Sequence, residues 1–129
     1  MSAFPIPITA VFAGLLALML VGISVRVTVL RARKKINFSD GGDEQLSRAI
    51  RVQGNFVEYV PMALGLMAII EWSGAQPWLA YLVGTVLLAA RVVHAFGLYS
   101  GVFAARVAGT SVTWILIAAE ALVLLGRVA

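Results

Sequence analysis

Four polar side chains, Arg48, Arg51, Asn55 and Glu58, recur at spacings of +3, +4 and +3 in a mostly apolar segment. At about 100° per residue they share roughly an 80° arc of a helix, and adding Tyr59 widens it to about 100°. The stripe is about 15 Å long at 1.5 Å rise per residue. Its residue types suit one kind of ligand, anionic and carrying amides. Guanidinium forks hold carboxylates, asparagine reads an amide, and glutamate accepts from an ammonium. A structural reading stands beside this one: Arg51 and Glu58 pair within or between helices and fix packing. A charge deep in a lipid-facing helix costs about 2.5–3.5 kcal/mol. On either reading the stripe faces a bundle interior, a partner chain or a wet cavity.

A second set follows. Arg91 and His94 are i,i+3 neighbours and share a helix face. Tyr99 and Arg106 come after them, toward the same end as the start of the stripe. Taken singly, His94 also fits a hydrogen-bonded packing role and Arg106 a membrane-surface anchor. One histidine among scattered carboxylates does not make a metal site. With no cysteine, the chain has no disulfide and no thiol nucleophile of its own. Pro61 cannot donate to the carbonyl of Val57, which predicts a kink beside Glu58. Glu120 stands apart from both sets and is expected to hydrogen-bond within or between chains.

These groups need long elements to carry them. Of 129 residues 61% are hydrophobic and 12% charged, too apolar for a soluble domain of this size. A spanning helix takes roughly 20 predominantly apolar residues. Phe4 to Val25, Val52 to Ile70, Pro77 to about Tyr99, and Val107 to Gly126 each qualify, the first continuing toward Leu30. The expected fold is therefore all-α: one domain over residues 1–129, four transmembrane helices running up-down-up-down. Gly65 and Gly84 are expected to permit close helix approach. No Lys or Arg precedes the first apolar run, unlike a cleaved signal peptide, so that run is read as a retained helix.

The net charge of +4 resembles a nucleic-acid signal until it is located. Seven of the ten Lys and Arg lie between Arg26 and Arg51, beside the spans, where they set topology or meet anionic lipid. Nucleic acid is set aside. The first loop is basic, then Ser39-Asp-Gly-Gly, then acidic where the second helix begins, as helix dipoles favour. Arg33, Lys34 and Lys35 read as a headgroup-facing cluster. The second loop, between Trp72 and Trp78, has no positive charge, and both tryptophans suit interface anchors. The third carries Arg106. By the positive-inside rule the two basic loops are cytoplasmic and both termini lie opposite.

The run Arg51-Val-Gln53-Gly-Asn55-Phe-Val-Glu58-Tyr59-Val-Pro61 resembles the signature of the MAPEG family. Its members are membrane-associated proteins in eicosanoid and glutathione metabolism, and they include microsomal glutathione transferases. Ser39-Asp-Gly-Gly and Arg91-Val-Val-His94 look most like its small bacterial branch, and the likeness covers nearly the whole chain. The resemblance implies a homotrimer in a bacterial inner membrane, with glutathione bound between neighbouring protomers near the cytoplasmic side. Arg51, Gln53, Asn55, Glu58 and Tyr59 match glutathione-contacting positions. Arg31 matches a basic position that the neighbouring protomer offers, and Arg91 a position on the third helix. His94 stands where the prostaglandin-synthase branch has histidine. Tyr99 and, as the catalytic thiolate stabiliser, Arg106 match after a one-residue shift.

The implied activity is that of a glutathione transferase or peroxidase acting on lipophilic electrophiles that arrive from the bilayer. Two alternatives remain: a non-catalytic glutathione- or lipid-binding scaffold, and a small multidrug transporter. The last expects a glutamate in the first helix, and that helix has no acid.

Overall fold

The computed structural model describes residues 4–129 as four α-helices joined by short links. The domain expected over 1–129 includes residues 1–3, which lie outside those described. Helix α1 is Pro7–Lys34, α2 Glu44–Trp72, α3 Pro77–Ser100 and α4 Phe103–Val128. Every helix extends beyond its apolar window. Length here is set by caps, and a polar residue in a terminal turn does not end a helix.

Proline opens α1 and α3, where its missing N–H is no loss. Helix α1 ends when Lys35 turns left-handed at φ 55°, with Arg31, Arg33 and Lys34 in its last turn. Its other end is served from a distance. The carboxylate of Glu71, near the end of α2, accepts from the amides of Ile8 (2.9 Å) and Thr9 (2.7 Å). Asp43 caps α2, accepting from the Leu46 amide at 2.8 Å and from Lys34 Nζ at 2.7 Å. Gly41 and Gly42 make the preceding turn at φ 58° and 74°, where a side chain would be strained. Helix α2 runs unbroken through Pro61.

These contacts set the directions. Lys34–Asp43 joins α1 and α2 at the basic end, and Glu71 joins them at the other, so the two are antiparallel. Arg91 on α3 reaches Thr113 on α4, and His94 reaches Thr110, so α3 and α4 are antiparallel as well. The order is up-down-up-down. Leu16, Phe56, Val60 and Leu87 fill the middle of the core. Phe12, Met67 and Val83 fill one end, and Val27, Leu30 and Leu46 the other.

Glycine decides how closely two pairs of helices approach. A Cβ at Gly84 would lie 2.2 Å from the Phe12 ring, and one at Gly97 would lie 2.2 Å from the backbone nitrogen of Arg106. Gly109 packs as closely on His94 and the Ala90 carbonyl. Gly65, expected to do the same, faces open space within the chain.

The outer faces are apolar: Leu18, Ile115 and Leu122 are each about 70% exposed. In water that surface would aggregate, and in a bilayer it is ordinary. Helices α1, α3 and α4 are each long and apolar enough to cross a membrane. Helix α2 is equally long at 29 residues but carries the polar stripe, of which Asn55 is buried while Arg51 and Glu58 remain exposed. The protein is an integral membrane protein. Trp72 and Trp78 are exposed near the end opposite the basic loop, as interface anchors would be.

Candidate functional site

Toward the basic end, α2, α3 and α4 enclose an open cavity of about 320 Å³. Helix α2 supplies Arg51, Asn55, Glu58 and Tyr59, one face at +4, +3 and +1. Helix α3 supplies His94 and Leu98, and α4 supplies Phe103, Arg106, Val107, Thr110, Ser111 and Trp114. The volume is in the range of small-molecule sites. Arg51, Glu58 and Arg106 are exposed, so two cations and one acid are free to meet a ligand. The rings of Tyr59 and Trp114 meet edge-on at 6.0 Å. Beyond them Glu58, Tyr59 and Trp114 also line an apolar outer groove with Met62 and Ile117.

His94 is buried, and its Nδ1 lies 2.9 Å from the Thr110 hydroxyl and 3.2 Å from the Arg106 carbonyl. A carbonyl only accepts, which assigns the proton to Nδ1. The histidine thus ties α3 to the first turns of α4 and holds the backbone from which Arg106 projects. This packing residue also lines the cavity.

Arg91 is not a lining residue. It is 1% exposed, behind Asn55, and donates to Asn55 Oδ1 at 2.6 Å and to Thr113 Oγ1 at 3.3 Å. Its guanidinium carbon lies 5.9 Å from the centre of the Phe56 ring. A ligand in the cavity of one chain does not touch it.

Three other residues lie outside the cavity of the single chain. Tyr99 faces α1, where Arg26 stacks on its ring at 4.2 Å, and its hydroxyl has no partner among the described residues. Gln53 points to α1 and donates to Ser24 Oγ at 2.9 Å. Arg31 donates to the Ser39 carbonyl at 2.7 Å and thereby tethers the loop. Arg48 leaves the stripe: it pairs with Glu44 and packs beside Gly101. The strict +3, +4, +3 periodicity placed it with Arg51. Its long side chain follows the acid one turn back instead. Glu120 is 1% exposed, and neither carboxylate oxygen has a partner among the described residues, so of the hydrogen bond expected within or between chains the one within the chain is not formed.

Sequence reasoning missed the α4 wall. Thr110, Ser111, Thr113 and Trp114 interrupt an apolar span within five positions, and that cluster was the available signal.

The model of the MAPEG family matches residues 9–126, and so takes in all four helices. The chain belongs to the MAPEG family. Two curated relatives are the proteins called inner membrane protein YecN in Escherichia coli strain K12 and in Escherichia coli O6:H1. Each is 41% identical over 107 residues, covering 83% of this chain and 82% of the relative. Membership agrees with the four-helix bundle and with the motif along α2.

Proposed function

We propose that this MAPEG protein binds glutathione in the α2–α3–α4 cavity and directs its sulfur at lipophilic electrophiles, as a transferase or peroxidase. The observation that carries the reading is the cavity's makeup. Arg51, Arg106, Asn55 and Glu58 converge there, beside an apolar groove on the outer surface. Glutathione presents carboxylates, an ammonium, amides and a thiol. Guanidinium forks fit the first, Glu58 the second and Asn55 the third. When bound, glutathione supplies the nucleophile, as a thiolate.

Arg51 anchors a carboxylate and Glu58 the ammonium, which fixes the orientation of the peptide. Arg106 favours negative charge on the sulfur through Coulomb attraction and hydrogen bonding. A thiol of ordinary pKa, about 8.5, is then ionised at neutral pH more often than in water. Tyr59 and Trp114 stand between the polar cavity and the apolar groove, where the electrophile arrives.

The working unit is a homotrimer. Supporting this are the open side of the cavity, the exposure of Arg51, Glu58 and Arg106, and the broad apolar face of α4. A neighbouring copy closes the cavity and brings Arg31 and Gln53 toward it. The protein resides in the bacterial inner membrane, as its relatives are named. The basic loops lie in the cytoplasm and both termini opposite, by the positive-inside rule.

Calorimetry on detergent-purified protein tests binding. Glutathione should bind at micromolar to millimolar concentration, and Arg51→Ala and Glu58→Ala should each weaken it at least tenfold in folded protein. Absence of binding at millimolar glutathione refutes the reading. Turnover with a lipophilic aryl halide tests catalysis. Arg106→Ala should lose about tenfold to a thousandfold in rate, as when one charge-stabilising donor is removed, while retaining glutathione. A wild-type protein that binds glutathione without turnover is a non-catalytic glutathione-binding member.

A further inference from the structure

Arg91 is a charge with no counter-charge among the described residues. It is 1% exposed in the core, and the salt bridges among the described residues, Lys34–Asp43 and Arg48–Glu44, do not involve it. Arginine stays protonated in proteins, and burying an unpaired cation is expensive. Packing alone would favour an apolar residue there. The cation therefore serves something besides the core, and its shortest contact, to Asn55 Oδ1, shows what.

Guanidinium has only donors, so the Asn55 atom it holds is the carbonyl oxygen. That assignment leaves the amide nitrogen as the only free end. Nδ2 makes no hydrogen bond among the described residues and is not among their buried atoms lacking a partner. Asn55 itself lines the cavity. We infer that Arg91 is a positioning residue that locks the Asn55 amide with its donor end toward the ligand, so that this point of the site accepts a carboxylate or carbonyl oxygen and rejects a donor.

Thr113 completes the device. Its hydroxyl donates to the Gly109 carbonyl at 2.8 Å, which leaves its oxygen to accept from Arg91. The guanidinium is thus held between α2 and α4 while it is carried on α3. Without it, the two ends of the Asn55 amide have similar shape and little reason to choose. The inference rests on the cavity's being a ligand site, and its effect on the ligand is read with glutathione.

The test is a double-mutant cycle on Asn55 and Arg91, read by glutathione calorimetry and by thermal unfolding in detergent. Arg91→Met and Asn55→Ala should each weaken binding about tenfold or more. The double variant should bind no worse than Asn55→Ala alone, because Arg91 acts through Asn55. Arg91→Lys should recover part of the loss. Losses that multiply in the double variant overturn the inference.

Asn55→Asp separates the two claims. It gives Arg91 a counter-ion but faces the ligand with an acceptor. It should melt higher than wild type and bind glutathione at least a hundredfold more weakly, and the gain in melting temperature should vanish with Arg91→Met. The melting arm needs no ligand. If wild type fails to bind glutathione, the proposed function falls, and the Arg91–Asn55 coupling is still decided by melting. No gain in Asn55→Asp, or a gain that persists with Arg91→Met, overturns the inference.

Discussion

Two buried ionisable residues, Arg91 and Glu120, lie in one bundle, and among the described residues they form no ion pair. Arg91 has two hydrogen-bond partners, Asn55, which lines the cavity, and the buried Thr113. Glu120 has none among the described residues, and its two oxygens are sealed in the core. A buried polar group without a partner costs about 1–3 kcal/mol as judged from mutational data. Glu120→Met, similar in length and apolar, should therefore raise the melting temperature of detergent-solubilised protein. A lower melting temperature would mean that Glu120 finds a partner in the assembled protein that a single chain lacks. His94 shows how one residue serves two purposes. Its Nδ1–H secures the start of α4 while the ring helps to wall the cavity.

At the scale of the elements, caps and glycines do the positioning. Asp43 joins the end of α1 to the start of α2. The Lys34 ammonium, followed by the Leu46 amide, holds its carboxyl below the ordinary 3.8. A carboxylate whose pKa is depressed by folding stabilises the fold above its unfolded value, and loses that contribution as pH falls through the folded value. Stability should decline as pH drops below about 4, and Asp43→Asn should flatten that part of the profile. Thermal unfolding between about pH 6 and pH 2 measures both. At the α3–α4 crossing, a methyl on Gly97 would strike the Arg106 backbone, which has no free end to yield. Gly97→Ala should destabilise by about 1–3 kcal/mol and, because Arg106 moves, weaken glutathione binding. Gly126→Ala meets nothing within 4 Å and should change stability by less than about 1 kcal/mol.

For the whole molecule, the apolar exterior and the half-open cavity call for different neighbours. Lipid satisfies the exposed Leu, Ile and Val side chains. Arg51, Glu58 and Arg106 are costly in contact with lipid tails and need a ligand, water or a second chain. Native mass spectrometry from mild detergent should find trimers. Arg31→Ala should leave the trimer intact yet weaken glutathione binding, if Arg31 reaches a neighbour's cavity. A monomer that binds glutathione with full affinity would show that the cavity is complete within one chain.

Much of this was legible in the amino-acid order. Apolar windows located four helices because lipid-facing and core-facing residues alike must be apolar. Short links then forced the antiparallel order. The +4, +3 and +1 steps from Arg51 to Tyr59 put those residues on one face, since both helix period and polar cost act locally along the chain. Tertiary structure decided the rest. Arg91 and Tyr99 sit on the same helix as His94, yet one lies behind the cavity and the other against α1, because rotation and crossing angle are set by packing between helices. Gly97 and Gly109 draw α4 in to form the cavity wall, whereas Gly65 and Gly84 had the same sequence signal and only Gly84 meets a neighbour within the chain. Sequence periodicity states which residues share a face of one helix. Which face meets which, and what stands behind a lining residue, depends on contacts between residues far apart in the chain.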